Sequence, residues 1–169
     1  MSLIFPLLFS LAANAQVPSV GEPASLFSLP AINEATTEAS GSRISLAEIT
    51  DDPSNRSSVV LYFFAKDSGG SGLAELNSVY NSHRRDGLQV FGVSVDQGEL
   101  GELSNWIEGQ GLDFPVLRDN HRVVAARYGV SMLPMTFIID PSGDLFAVGA
   151  PNAGQLESEL ESELSGLLQ

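Results

Sequence analysis

Two apolar runs separated by one helical pattern constrain this chain more than any other feature. Val59 to Ala65 reads Val-Val-Leu-Tyr-Phe-Phe-Ala, apolar or aromatic at every position, the pattern of a strand buried on both faces of a sheet. Leu88 to Val95 is a second, largely apolar strand. Between them Leu73, Leu76, Val79 and Tyr80 recur at helical spacing, and Asp86-Gly87 closes the segment. A strand, a helix and a strand in so short a stretch form a right-handed crossover with the two strands parallel. The remaining elements must be arranged around that unit.

Upstream, Val17 to Ala24 is a lead punctuated by Pro and Gly, and Leu26 to Ile32 is a short apolar stretch. Asn33 to Arg43 is polar and predicts a surface loop. Ile44 to Ile49 reads as a helical turn and Asp51 to Ser58 as a second loop. That loop holds the glycosylation triplet Asn55-Arg56-Ser57, a pattern that chance produces often and that matters only in a eukaryotic secretory route. Downstream, Leu100, Leu103, Trp106 and Ile107 make an amphipathic helix with Trp106 on its core face. Leu112 to Leu117 is extended and Val123 to Tyr128 a short helix. Met135 to Asp140, Pro141-Ser142-Gly143 and Leu145 to Val148 form a hairpin. The final helix carries Leu156, Leu160, Leu164 and Leu167 along one stripe. Its like-charged pairs, Glu157 with Glu161 and Glu159 with Glu163, read as a solvated face.

This order predicts an α/β domain over residues 16–169, with a central mixed β-sheet flanked by helices. Residues 1–15 are expected to be a signal peptide. Leu3 to Ala13 is an apolar run too short to span a bilayer, and Ala13-Asn14-Ala15 is a small-x-small cleavage site, although no Lys or Arg precedes the run. The expected destination is the periplasm or the exterior. No Cys at the cleavage site could carry a lipid, and no later segment is apolar enough to cross a membrane, so no stable membrane anchor is expected after cleavage.

Composition removes several classes of function. In 169 residues there are 21 Asp and Glu against 8 Lys and Arg, a formal net charge of −13. Such a surface repels phosphate backbones and anionic headgroups at long range, so a nucleic-acid partner is not expected. There is no cysteine, which excludes disulfides, thiolate metal sites and cysteine catalysis together. Two histidines without a His-Glu-x-x-His pattern do not make a metal site. No cofactor and no metal are expected.

The stretch Tyr128-Gly129-Val130-Ser131-Met132-Leu133-Pro134-Met135-Thr136-Phe137-Ile138-Ile139-Asp140-Pro141-Ser142-Gly143 resembles the segment around the cis-proline of TlpA-type and ResA-type thiol-disulfide oxidoreductases. Val59 to Asp67, Phe91 to Asp96 and Gly111 to Asp119 resemble instead the bacterioferritin-comigratory branch of the peroxiredoxins. Together these segments are similar to the thioredoxin-like redoxin superfamily over most of the chain, and they leave the branch open. The resemblance implies the thioredoxin-like fold, a cis peptide before Pro134, and a loop at Leu133-Pro134 that offers backbone groups to an extended peptide or protein partner.

The active-site turn of that family falls on Lys66-Asp67-Ser68-Gly69-Gly70-Ser71-Gly72. In the TlpA register the Cys-x-x-Cys pair lands on Ser68 and Ser71. In the peroxiredoxin register the nucleophile lands on Gly72, the motif's Pro and Thr on Ala65 and Gly69, and the catalytic arginine on Pro134. Neither register contains sulfur. A thiolate is available near neutral pH because a helix N-terminus lowers a thiol's pKa, and both disulfide exchange and peroxide reduction begin from it. A serine hydroxyl lies far above that range. Ser68, Ser71 and Gly72 are therefore degenerate catalytic positions. Lys66, Asp67, Gly69, Gly70, Leu133 and Pro134 are the candidate binding residues. Gly69-Gly70-Ser71-Gly72-Leu73 also fails the Gly-x-Ser-x-Gly elbow, because Leu73 occupies the second glycine's place. The Gly-rich helix start beside Lys66 has the donors of an anion site, though most such turns only cap a helix.

Three functions remain from the sequence. One is a redox-inactive binding or scaffolding module that uses the cis-proline groove. Another is a Cys→Ser form of a TlpA-like or peroxiredoxin-like oxidoreductase, so enzymatic activity stays undecided at this stage. A structural subunit that self-associates through the Leu-striped final helix is a third option.

Overall fold

The computed structural model describes residues 17–33, 42–51 and 57–168. The expected signal peptide and most of the glycosylation triplet lie outside these residues. Ser58–Phe64 (β3) occupies the middle of a five-stranded sheet in the order β5-β4-β3-β6-β7. Leu88–Ser94 (β4) lies parallel to it, with Leu61 opposite Phe91 and Phe64 opposite Ser94. Val116–Arg118 (β5) adds a third parallel strand at that edge. On the other side Met135–Ile139 (β6) runs antiparallel to β3, with Val60 opposite Ile138, and Leu145–Gly149 (β7) completes the hairpin. The mixed sheet and the thioredoxin-like fold expected from the sequence are both present.

All seven β3 residues are buried, and their alternation divides the core in two. Val59, Leu61 and Phe63 join Val93, Tyr128, Phe137 and Ile139 on one face. Val60, Tyr62 and Phe64 join Leu76, Ile107 and Leu156 on the other. A strand with polar residues at every second position could not serve both layers. The helix Leu73–His83 (α2) makes the crossover, and Gly87, at φ 87°, turns the chain into β4. The helices Leu100–Glu108 (α3) and Leu156–Leu164 (α5) share the face of α2, whereas Val123–Arg127 (α4) covers the opposite one.

Several expectations change. Ser28–Pro30 (β1) and Arg43–Ser45 (β2) pair antiparallel as a small separate sheet, so the helical turn read from Ile44 starts only at Leu46–Thr50 (α1). Leu100, assigned to the apolar stripe of α3, is 47% exposed because it opens the helix at the edge of the packed region. Glu157 and Glu161 are not simply a solvated face. Ser78 Oγ donates to Glu157 Oε1 at 2.7 Å, and His83 Nε2 meets Glu161 Oε2 at 2.8 Å, both from α2. The leucine stripe is buried as expected at Leu156, Leu160 and Leu164, but the helix ends there, and Leu167 lies half-buried in the turn beyond it.

Phe63 lies at the centre of an aromatic cluster. Its ring centroid is 5.5 Å from Phe137 and 5.7 Å from Tyr128, which in turn lies 5.0 Å from Phe137. Truncation in such a place removes buried area and leaves a cavity. Phe63→Ala is expected to lower unfolding stability by about 3–5 kcal/mol, read from urea denaturation midpoints.

Candidate functional site

The turn after β3 is held at both ends. Ala65 and Ser68 exchange backbone hydrogen bonds at 2.9 Å each. The Lys66 N–H donates to Asp96 Oδ2 at 3.0 Å, and Ser94 Oγ donates to the same oxygen at 2.7 Å, so the end of β4 anchors the start of the turn. Gly70–Gly72 forms a single 3-10 turn that runs directly into α2.

Across the turn stands the loop before β6, where the Leu133–Pro134 peptide bond is cis. Ser68 Oγ donates to the Leu133 carbonyl at 3.1 Å. Gly69, at φ 94°, lies so close that a Cβ there would come within 2.8 Å of Pro134 Cβ. Only glycine meets both conditions cheaply. The remaining walls are aromatic. A Cβ on Gly70 would lie 2.9 Å from Trp106 Cη2, and one on Gly72 would overlap the Tyr62 hydroxyl. Lys66 places its ammonium 5.9 Å from the centre of the Trp106 ring, a cation–π separation.

A side chain at position 72 therefore requires Tyr62 to shift, whereas Ser68 and Ser71 occupy accommodated positions. Tyr62 is buried, and its hydroxyl donates to the Gly69 carbonyl at 2.8 Å. Burial pushes that phenol well above the ordinary tyrosine range, and the nearby Glu75 carboxylate adds to the effect. It stays a proton donor.

The fold sets Gly69 against Pro134 and Ser68 on the Leu133 carbonyl, and Ser71 and Gly72 line the same crevice as Pro134. Lys66 turns aside to Trp106, and Asp67 is exposed on the turn. Tyr62, Asp96 and Trp106 also belong to the site. In the sequence Tyr62 and Trp106 counted as packing residues. The available signal was a tyrosine inside an otherwise non-polar strand, since a buried hydroxyl needs a partner. Nothing local marks Asp96.

Among the described residues no hydrogen bond links Ser68 to a base. Ser68 donates to a neutral carbonyl, which cannot take its proton. His83 is engaged by Glu161 and Asp86, and His121 by Asn120. No group of three or more His, Asp or Glu among the described residues could hold a metal ion. The crevice between the turn and Asn152 measures about 80 Å³, well below the roughly 300–1,000 Å³ of enclosed ligand sites. On the other side of the Pro134 loop a groove of about 210 Å³ is lined by Val95, Arg122, Ala126, Val130 and Met132.

Residues 20–148 match the AhpC/TSA family. The chain belongs to that family. Among its relatives is the thiol-disulfide oxidoreductase ResA of Oceanobacillus iheyensis, 25% identical over 163 residues, or 94% of this chain and 80% of that protein. ResA of Geobacillus kaustophilus is 30% identical over 89 residues, 52% of this chain and 51% of the relative. The chain spans about half the length of most of the curated relatives it matches. Two solved structures share the fold. A thiol:disulfide interchange protein from Chlorobium tepidum has a TM-score of 0.68 at 20% identity, covering 88% of this chain and 97% of that one. A secreted Mycobacterium tuberculosis disulfide oxidoreductase has a TM-score of 0.66 at 19% identity, covering 83% and 96%. This AhpC/TSA member carries no cysteine.

Gly72→Ala is expected to destabilise the protein by about 1–3 kcal/mol through overpacking against the Tyr62 hydroxyl. Adding Tyr62→Phe should recover part of that loss, as read from thermal unfolding of the single and double variants. A pH effect follows from the buried phenols. Tyr128 is also pushed above its ordinary range by burial, and it donates to the Ser25 carbonyl at 2.8 Å. Unfolded tyrosines ionise near roughly pH 10, so above that point the unfolded chain releases protons that the folded chain keeps. Stability is expected to hold below about pH 10 and to fall as pH rises further, with urea midpoints in Tyr62→Phe and Tyr128→Phe less sensitive over that range.

Proposed function

We propose that this protein is an exported redoxin-fold binding module that receives an extended peptide segment across the Pro134 loop and performs no thiol chemistry. One observation carries the reading: the glycine turn and the cis-proline loop are built against each other, joined by Ser68 Oγ on the Leu133 carbonyl at 3.1 Å, with hydroxyls where exchange chemistry requires a thiolate. The open depressions on either side of Pro134 support a partner laid along the surface rather than an enclosed small molecule. Successive side chains of an extended segment point alternately to the two sides. Met132, 58% exposed beside that loop, offers the adaptable apolar contact that variable sequences use. Export rests on the apolar run and cleavage pattern ending at Ala15, and one structural relative is described as secreted.

A second reading, an active oxidoreductase in which Ser68 and Ser71 stand for cysteines, is favoured by the same contact, which places residue 68 against the proline loop. Cysteine codons at both positions in the native gene would establish it.

The unmodified protein is expected to leave dithiothreitol-driven insulin reduction at its background rate, while a Ser68→Cys/Ser71→Cys variant accelerates it. Catalysis by the unmodified protein defeats the proposal. Binding is read from backbone amide resonances while extended peptides of varied sequence are titrated in. Movement concentrated at residues 68–73 and 131–135 supports the groove, and a uniform absence of movement across the set rejects it.

A further inference from the structure

Because β3, β4 and β5 are parallel, their carboxyl ends lie on one side of the sheet, the side outside which open α/β sheets collect ligands. The end of β3 carries the turn described above. The end of β5 opens onto a different cavity of about 540 Å³, inside the roughly 300–1,000 Å³ range of ligand sites. Phe27, Leu29, Ile32, Leu100 and Val124 give it apolar walls, and Arg43, Arg118, Arg127 and His121 give it charge and polarity.

Three of the 8 Lys and Arg in a chain of net charge −13 thus surround one hollow. Asp119, the one acidic residue lining it, is buried and already committed. Its Oδ1 accepts from the Val123 N–H at 2.9 Å and its Oδ2 from the Ala125 N–H at 2.8 Å. The arginines bond to neutral groups instead. Arg43 reaches the Ser28 carbonyl and hydroxyl, Arg118 the Gly98 carbonyl, and Arg127 the Leu26 carbonyl. Among the described residues both ion pairs belong to His83, so none of the three guanidinium groups meets a carboxylate there.

Arg118 decides the matter. Its Nε is buried without a hydrogen-bond partner, the one side-chain nitrogen or oxygen so placed among the described residues. A desolvated donor on a charged group is costly to leave unpaired, and native structures rarely leave one without a reason. An anion in the hollow would offset the charge. If the guanidinium turned its Nε–Nη edge toward a carboxylate, the pair would bond in bidentate fashion.

We propose that this cavity binds a small organic carboxylate with an apolar body, the carboxylate against Arg118 and its neighbouring arginines and the hydrocarbon against Phe27, Leu29 and Leu100. The site is separate from the Pro134 groove and does not depend on the reading given to it. The probe is octanoate, titrated calorimetrically into the full chain, with octanol as its neutral counterpart and inorganic phosphate as an anion without an apolar body. Octanoate is expected to bind with a dissociation constant of about 1 mM or below, at least about tenfold more tightly than either control, and more weakly as salt rises. Arg118→Met, which keeps the length of the side chain and removes its charge, should weaken octanoate about tenfold. Arg127→Gln, on an exposed residue, provides a second reading should Arg118→Met fail to fold. No octanoate binding, equal binding of octanol or phosphate, or an affinity unchanged in the folded variants would overturn the proposal.

Discussion

Burial of β3 on both faces is the constraint from which the rest of the structure follows. A strand with no solvent face must be covered by a layer on each side and flanked by a strand at each edge, and β4, β6 and the two core clusters supply those four neighbours. Burial of this kind is worth about 1.5–3 kcal/mol for each large side chain. The fit of the two layers depends on register, since a slip of one residue would exchange Leu61 and Phe63 for Val60 and Tyr62. The position of the turn after Phe64 is therefore fixed by hydrophobic packing far from any chemistry. That rigidity is what makes Ser68 and Pro134 meet.

The chemistry of the turn is decided by what surrounds it. Tyr62, Trp106 and Pro134 press on its three buried or half-buried glycines and leave no volume for further side chains. The hydroxyl of Ser68 is turned toward a carbonyl that holds its proton in place. A hydroxyl without a base is a hydrogen-bonding group and not a nucleophile. The family's architecture is thus retained in a chain without cysteine, and the contact between turn and proline loop is one of shape and hydrogen bonding. The N-terminal strand pair and the lead before it close the sheet elsewhere. Gly21 and Glu22 bond to both backbone groups of Leu145, covering the start of the outer strand of the hairpin, where an uncovered edge would invite pairing with other chains.

Much of this was legible in the residues. The apolar runs at Val59 and Leu88 specified the crossover because continuous burial leaves a composition that no exposed segment shares. The hairpin announced itself through Pro141-Ser142-Gly143, and the final helix through its leucine spacing. The small sheet formed by Ser28–Pro30 and Arg43–Ser45 did not, since three-residue strands carry too little periodicity and their pairing joins segments far apart in sequence. Within the site, the turn and Pro134 came from their resemblance to a family. Tyr62 and Trp106 were hidden because an aromatic side chain that lines a turn has the same local sequence as one that fills a core. Asp96 was invisible for a related reason: its role is to accept the Lys66 N–H thirty positions away. The arginines around the β5 cavity are scattered from Arg43 to Arg127 and acquire meaning only when the fold gathers them.

The Tyr62 hydroxyl also bears on how such a site can change over generations. It occupies the volume that a side chain at residue 72 would need, while its hydrogen bond to Gly69 rewards keeping it there. A lineage that acquired a larger residue at 72 first would pass through a strained intermediate, and one that lost the phenol first would forfeit a bond. A nucleophile at 72 thus has to displace the Tyr62 hydroxyl, whereas 68 and 71 already carry side chains close to cysteine in size. The room for a larger side chain is narrower at one position than at the other two, and a single oxygen atom makes the difference.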